Sequence, residues 1–162
     1  MEQELQIDKI DSSDEDSILK IADWYQKEWN TPIKQTVDRL SNSQYEGVYF
    51  QLVVRKSGKI VATGGLSDNV NLLKVYPEFV KFGPWVALLY TDKEYRNQGI
   101  GKALLEQIEL NARTCKLDKI YLYTFTAESL YRKSGWKSIE RVKYKGHNTV
   151  IMEKEIKLNT TS

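Results

Sequence analysis

The sequence predicts an α+β fold in which a mixed, mostly antiparallel central sheet is flanked by helices. A buried run, a glycine turn and an amphipathic helix follow one another between Pro84 and Leu105. The strand-like run Lys119 to Thr124 comes next, and a strand–helix–strand crossover makes its two strands parallel. Hairpin patterns at Val48 to Gly65 and at Trp136 to Ile156 add the antiparallel strands.

The first part of the chain predicts an edge strand and two helices. Leu5 and Ile7 alternate with polar neighbours, as in a strand. Residues 11–16 are rich in N-cap residues and first-turn acids, so a helix begins there. A second short helix follows Pro32. The apolar face that we expect the first helix to bury consists of Ile18, Ile21, Ala22, Tyr25 and Trp29, with Trp24 and Glu28 on its flank.

The next segments predict a hairpin and a long excursion. The strands Val48 to Arg55 and Lys59 to Gly65 are joined by a turn at Lys56-Ser57-Gly58. Residues 66–83 have weak periodicity and several helix breakers, which indicates a partly helical excursion.

The last third predicts two helices and a hairpin. Residues 103–115 form the helix after the glycine turn, and helical spacing places Cys115 on its packed face. A short helix at residues 127–134 is ended by Gly135. The final two strands turn through residues 145–148, which places His147 in an exposed loop.

Length and composition favour one domain of 162 residues, with a frayed polar tail at residues 158–162. A formal net charge of +2 argues against a dedicated nucleic-acid binder. The single cysteine and single histidine exclude an internal disulfide and a Cys/His zinc cluster. No stretch resembles a signal peptide or a membrane span, so we expect a cytoplasmic protein without a metal and without membrane contact.

The glycine turn is the most informative feature, because it connects a buried strand to a helix N-terminus. The first N–H groups of a helix have no intrahelical partner and carry the positive end of the macrodipole. Gly99 and Gly101 let the backbone approach a phosphate, and Arg96 and Lys102 bring positive charge to the same place. The turn therefore predicts a site for a pyrophosphate-bearing ligand.

Two familiar phosphate loops fit the turn poorly. A Walker A loop needs Gly at the position of Arg96 and Ser or Thr at that of Ala103. A dinucleotide fingerprint needs Gly at Leu104, and its strand normally opens the first βαβ unit of the chain.

A third pattern fits closely. The spacing Arg96-x-x-Gly99-x-Gly101 after a strand resembles motif A, Q/R-x-x-G-x-G/A, of the GNAT superfamily of acetyl-CoA-dependent N-acetyltransferases. Residues 130–136 read Leu-Tyr-Arg-Lys-Ser-Gly-Trp and are similar to the family's L-Y-x-x-x-G-F/W segment. The resemblance spans most of the chain and is weakest before about Val48.

The resemblance implies acetyl-CoA as the cosubstrate, bound between splayed central parallel strands, the first of which carries a bulge. The backbones of Leu89 and Thr91 would bind the acetyl carbonyl and the pantetheine amide, with Tyr90 between them. The pyrophosphate would lie on the N–H groups from Gln98 to Ala103. The residues expected to bind acetyl-CoA are Leu89, Tyr90, Thr91, Arg96, Asn97, Gln98, Gly99, Ile100, Gly101, Lys102, Ala103 and Thr124.

Acetyl transfer to an amine needs an N–H aimed at the oxyanion, a proton acceptor for the amine and a donor near the sulfur. Leu89 N–H could supply the first, and Tyr131 matches the family's general acid. The base is open among Glu28, Asp92, Glu94 and a water relay, and we favour Glu28. Without a catalytic role, Tyr131 would be a packing tyrosine and Glu28 a solvated charge on the flank of the helix.

Two residues depart from the family pattern. Lys93 stands where proline is common, which affects only the rigidity of the turn. Thr124 stands at the spacing of a frequent asparagine, and threonine reaches less far toward a ligand. This second departure puts a local contact to the pantetheine in doubt, not the fold.

The leading hypothesis is an N-acetyltransferase acting on a small-molecule primary amine. A protein N-terminus or lysine is an alternative acceptor, and a non-catalytic acetyl-CoA sensor is an alternative class. The sequence leaves open whether the protein forms a homodimer. The sequence does not identify the acceptor, because the first helices and residues 66–83 set acceptor specificity in this fold and are its least interpretable parts.

Overall fold

The computed structural model describes residues 4–156, so the tail predicted at 158–162 lies outside the described residues. Within that range seven strands form one mixed sheet in the order β1-β2-β3-β4-β5-β7-β6. The predicted α+β class is confirmed. The strands are β1 Leu5–Lys9, β2 Val48–Lys56, β3 Lys59–Ser67, β4 Trp85–Thr91, β5 Lys119–Thr124, β6 Lys137–Tyr144 and β7 His147–Glu155.

Five α-helices and two short 3-10 helices accompany the strands of the described chain. The 3-10 helices are Pro77–Lys81 and Lys93–Tyr95. The α-helices are α1 Glu15–Trp29, α2 Ile33–Leu40, α3 Leu72–Val75, α4 Ile100–Thr114 and α5 Glu128–Lys133.

Strand pairing agrees with the mostly antiparallel sheet predicted. β1 pairs with β2, and β7 pairs with both β5 and β6, all antiparallel. β4 and β5 pair in parallel, with Trp85 opposite Tyr121, as the crossover through α4 requires.

The described residues divide into two compact units, with boundaries after Gly65, Ala87 and Ile108. In the first unit the apolar face of α1 packs with α2, β2 and β3. Its core residues are Ile18, Ile21, Trp24, Tyr25, Leu40, Val53 and Ile60.

The predicted apolar face of α1 is wrong at its last residue, Trp29. Trp29 was expected to be buried, but 45% of it is exposed, whereas Trp24 is buried. Trp24 lies three residues after Ile21 and so shares its face of the helix. Trp29 lies in the last turn, immediately before Asn30 ends the helix in a left-handed conformation.

Two glycines of β3 provide space for neighbouring side chains in the first unit. A Cβ on Gly64 would lie 2.4 Å from Leu89 Cδ2, and one on Gly65 would lie 2.7 Å from Gln51 Oε1. β3 therefore lets the Leu89 and Gln51 side chains pack directly over its backbone.

The second unit has an aromatic core, in which Trp85 and Tyr121 pack with ring centroids 5.7 Å apart. A partly buried ion pair joins its elements, because Lys154 Nζ lies 2.6 Å from Glu109 Oε1 and also donates to the Ser134 carbonyl oxygen. Its core residues are Leu72, Phe79, Trp85, Tyr121, Tyr144 and Ile151.

Three expectations near turns are wrong in detail. α4 begins at Ile100 rather than Ala103, because the turn before it ends at Gly99. Cys115 is exposed, since it lies just beyond the end of α4. The last hairpin turns through Lys145 and Gly146 alone, both at positive φ, so His147 is the first residue of β7 and is exposed, as expected.

Candidate active site

The second half of β4 contains a backbone irregularity at Leu88. Its φ is 60°, a left-handed conformation that a leucine in a strand rarely adopts. The Leu88 carbonyl oxygen accepts a hydrogen bond of 2.6 Å from the Tyr25 hydroxyl of α1. This interruption of the pleat is the kind of feature expected of the bulge that the family resemblance implies.

The glycine turn opens directly into α4. Asn97 and Gly99 have φ values of 64° and 79°, and a Cβ on Gly99 would have no atom within 4 Å. The first backbone bond of the helix runs from Ala103 N–H to the Gly99 carbonyl oxygen, at 3.1 Å. The N–H groups before Ala103 belong to the helix turn that has no intrahelical acceptor, as an anion site requires.

Arg96 is held at the end of β4 by two contacts. Its Nε donates to the Thr91 carbonyl oxygen at 2.9 Å, and its guanidinium lies 5.3 Å from the centre of the Tyr90 ring. Both contacts keep a permanent positive charge beside the glycine turn.

A second cation reaches the turn from the β2–β3 hairpin. Lys56 Nζ donates to Gln98 Oε1 at 3.1 Å, and Lys59 Nζ lies 5.5 Å from the Tyr95 ring centre. Sequence reasoning missed both lysines, because they are about 40 residues away along the chain. Nothing in the sequence of a basic hairpin turn indicates that its lysines lie near the glycine turn.

These elements surround a cavity of about 380 Å³ in the first unit. Most of the residues predicted from the sequence to bind acetyl-CoA line it, together with the candidate base Glu28. Trp29 and Tyr95 also line it and were not predicted as site residues. The lining residues are Glu28, Trp29, Leu89, Tyr90, Thr91, Tyr95, Arg96, Asn97, Gly99, Ile100 and Gly101.

Three predicted residues of the turn do not line this cavity. Gln98 is held by Lys56, Lys102 is exposed in the first turn of α4, and Ala103 makes the first helical bond. The N–H groups of Gln98 and Lys102 still precede the first helical bond, whereas the Ala103 N–H already donates to the Gly99 carbonyl oxygen, so the prediction that it holds the pyrophosphate is wrong.

Aromatic rings cover one side of the cavity. Tyr90 packs on Trp24 with centroids 5.1 Å apart and meets the edge of Trp29 at 6.3 Å. Tyr25 packs on Trp29 at 5.1 Å. Trp24 is therefore a core residue that supports Tyr90, whereas the half-exposed Trp29 lines the cavity.

The remaining two predicted residues lie in the second unit. Thr124 ends β5, and its Oγ1 accepts from the N–H groups of Thr126 and Ala127 at 3.3 and 3.1 Å. Trp85 is fully buried in the core of this unit.

Tyr131 lies in α5 and is half-buried, with its ring against the edge of Trp136 at 6.2 Å. Burial raises the pKa of the Tyr131 hydroxyl above its ordinary value. The phenol therefore keeps its proton at neutral pH and can act as a hydrogen-bond donor.

Within residues 4–156, no three His, Cys, Asp or Glu side chains are grouped in a way that could hold a metal ion. No helix in the same range combines the length and apolarity needed to cross a membrane.

Comparison with known families gives one match, which covers more than half of the chain. The profile described as "Acetyltransferase (GNAT) domain" matches residues 47–138. No curated protein sequence matches the chain significantly.

Solved structures resemble the fold at low sequence identity. An aminoglycoside 6'-N-acetyltransferase complexed with coenzyme A has a TM-score of 0.74 at 13% identity, covering 95% of this chain and 98% of its own. The ribosomal-protein-S18-alanine N-acetyltransferase from Escherichia coli has 0.68 at 18%, covering 98% of each. N-acetylglutamate synthase from Neisseria gonorrhoeae, complexed with coenzyme A and N-acetyl-glutamate, has 0.67 at 12%, covering 98% and 36%.

Proposed function

Because the chain belongs to the GNAT acetyltransferase family, we propose that it transfers an acetyl group from acetyl-CoA to a primary amine of a small molecule. The observation that carries the proposal is the cavity of the first unit. The residues of the glycine turn and Arg96 line it, and so do Glu28 and Trp29. The same cavity is thus lined by groups suited to an anion, the glycine turn and Arg96, and by a carboxylate suited to an ammonium group, Glu28.

The residues present fit a pyrophosphate. The turn offers unpartnered helix N–H groups, and the open space at Gly99 leaves room for the phosphate oxygens. Arg96 and Lys56 add positive charge from two different elements. Because these cations are exposed, we expect their contribution to depend on salt.

Strand β4 would bind the acetyl end of the cosubstrate. The Leu89 N–H would donate to the thioester carbonyl oxygen and to the oxyanion that forms from it, which is the usual way a backbone amide stabilises such a transition state. The Thr91 carbonyl already accepts from Arg96, and its second lone pair stays available for a pantetheine amide.

Glu28 is the carboxylate that we propose as base. It is exposed at the end of α1 and lines the same cavity as Leu89. It would take a proton from the ammonium form of the acceptor, directly or through water, and leave the neutral amine that attacks the thioester. Asp92 caps the Lys93–Tyr95 turn by accepting from Glu94 N–H, so its carboxylate already has a structural role.

Tyr131 would donate a hydrogen bond to the departing thiolate. A phenol is a weaker acid than a thiol, and burial raises the pKa of the Tyr131 hydroxyl further, so we assign it stabilisation of the thiolate by hydrogen bonding. Glu28 takes the first proton of the ammonium group, and the second proton leaves the nitrogen of the tetrahedral intermediate and neutralises the coenzyme A thiolate.

The mixed character of the cavity lining suits a small acceptor. An ammonium group can pair with Glu28 while its carbon skeleton packs on Trp29. The aminoglycoside and glutamate acetyltransferases that share the fold give examples of small acceptors, and the S18 enzyme gives an example of a protein acceptor.

The proposal is tested by thiol release from acetyl-CoA over a panel of amines. The panel would contain polyamines, aminoglycosides, amino acids and peptides with free N-termini or lysines. Release with a small amine supports the proposal, and release with peptides alone favours the protein acceptor. Acetyl-CoA binding without transfer to any amine would instead identify a sensor.

A further inference from the structure

A buried chain of hydrogen bonds connects three elements of the first unit to the irregular residue of β4. Gln51 Nε2 donates to the Tyr25 hydroxyl oxygen at 3.1 Å and to Thr63 Oγ1 at 2.8 Å. The Thr63 hydroxyl donates to the Leu52 carbonyl oxygen at 2.8 Å. The Tyr25 hydroxyl donates to the Leu88 carbonyl oxygen at 2.6 Å.

The direction of each bond is fixed by the chemistry of its partners. A backbone carbonyl only accepts, so the Tyr25 proton lies toward Leu88 and the phenol oxygen is left to accept from Gln51. Burial raises the pKa of the Tyr25 hydroxyl, which keeps this proton in place at physiological pH.

The bond to Leu88 also orients the next amide. The Leu88 carbonyl and the Leu89 N–H belong to one planar peptide unit, and in a trans peptide they point in opposite directions. Tyr25 holds the oxygen toward α1, so the N–H is directed away from that side. A hydrogen bond at the oxygen also polarises the peptide and makes its N–H a stronger donor.

The strain at Leu88 explains why such an anchor is needed. A left-handed leucine costs about 1–2 kcal/mol relative to an ordinary strand conformation. A conformation of this kind persists only where its surroundings hold it. The Tyr25 hydroxyl is the polar contact from α1 that does so, and Gly64 leaves space for the Leu89 side chain on the neighbouring strand.

We infer that Tyr25 is a positioning residue for acetyl transfer, which holds the Leu88–Leu89 peptide so that its N–H is aimed at the acetyl carbonyl. Gln51 and Thr63 orient Tyr25 in turn. This inference rests on the proposed function, since it assigns the Leu89 N–H to the oxyanion.

The first test uses acetyl-CoA labelled with ¹³C at the acetyl carbonyl. Difference infrared spectroscopy on the bound complex measures the stretching frequency of that carbonyl. It needs no acceptor. A donated hydrogen bond lowers the frequency, so we expect a downshift in the native protein and a smaller one in Tyr25→Phe.

We also expect the turnover of Tyr25→Phe to fall about tenfold, which is less than the 10²–10³-fold loss when an oxyanion donor is removed outright. The KM for acetyl-CoA should change less than about twofold.

Tyr76→Phe is the matched control. The Tyr76 hydroxyl donates to the Lys143 carbonyl oxygen in the second unit, so this variant also removes one tyrosine-to-carbonyl bond. We expect it to keep the native downshift and the native turnover. An effect common to losing any tyrosine-to-carbonyl bond would appear in both variants, whereas positioning affects only Tyr25→Phe.

A second variant keeps the inference testable if Tyr25→Phe does not fold. Gln51→Met retains the phenol and removes the amide that orients it, so the frequency and turnover should change in the same direction by a smaller factor, about threefold in turnover. A native downshift and native turnover in the folded variants would overturn the inference and leave the proposed function standing. Failure of the native protein to bind acetyl-CoA would overturn both.

Discussion

The ammonium group of Lys56 lies 3.1 Å from the side-chain oxygen of Gln98, which places a cation of the β2–β3 hairpin beside the glycine turn. Lys56→Ala should raise the KM for acetyl-CoA about threefold, the size expected for one exposed charge, with turnover unchanged. The effect should shrink in high salt. Lys74→Ala removes an exposed lysine of the second unit and should change neither constant. An equal effect of both variants would mean that only net charge matters.

Tyr131→Phe should lower turnover more than tenfold, because it removes the donor that we assign to the leaving thiolate. The KM for acetyl-CoA should stay near its native value. Tyr123→Phe is a suitable control, since Tyr123 packs at the edge of Trp85 in the aromatic core of the same unit. Steady-state thiol release measures both variants. Native turnover in Tyr131→Phe would remove this hydroxyl from the mechanism.

Trp29→Ala should weaken binding of the amine by roughly tenfold in KM, since an aromatic face that lines the cavity is lost. Acetyl-CoA affinity should not change. Leu19 is on the same helix and is also exposed, at 54%, but does not line the cavity, so Leu19→Ala supplies the control. If the two variants have the same KM for the amine, Trp29 is not part of the acceptor site.

Asp14 is the N-cap of α1, where its side chain accepts from Ser17 N–H and pairs with Arg55. Asp14→Ala should lower the free energy of unfolding by about 1 kcal/mol. Asp23→Ala, which removes an exposed pair with Lys27 within the same helix, should cost less. Chemical denaturation measures both, and equal losses would argue against the capping role.

The same carboxylate gives a pH dependence with a defined sign. Hydrogen bonds from the Ser17 side chain and backbone, and then the Arg55 charge, lower the pKa of Asp14 in the folded state. Its contribution is therefore complete above the unfolded pKa near 4 and is lost as pH falls through the lower folded value. The stability difference between the native protein and Asp14→Ala should thus narrow below about pH 4. A difference that stays constant down to pH 2 would contradict this.

The sequence predicted the elements well, because their signals are local. The acids before α1, the Ser57-Gly58 turn and the glycines after β4 each specify a boundary through backbone chemistry within a few residues. Cys115 was wrongly assigned to the core, since helical periodicity continues in the sequence beyond the point where α4 ends.

Apart from Glu28, the residues that line the cavity were predicted only where they are contiguous in sequence. The turn and the strand before it form one stretch, and the family resemblance applies to that stretch. Lys56, Tyr95 and Trp29 reach the site through the packing of separate elements. The Tyr25–Leu88 bond joins residues 63 positions apart, and neither residue type nor spacing indicates such a pair.

The central claim, that the turn at Gly99 binds acetyl-CoA, is tested most directly by calorimetric titration of acetyl-CoA into the native protein, Gly99→Ala and Gly146→Ala. Both glycines have φ of 79°, and a Cβ on either would meet no atom within 4 Å, so the two substitutions carry the same backbone strain of about 1 kcal/mol. We predict binding to the native protein and to Gly146→Ala with equal affinity, and to Gly99→Ala at least tenfold more weakly, because its methyl group occupies the phosphate approach. Absence of binding to the native protein, or equal affinity of all three, would contradict the claim.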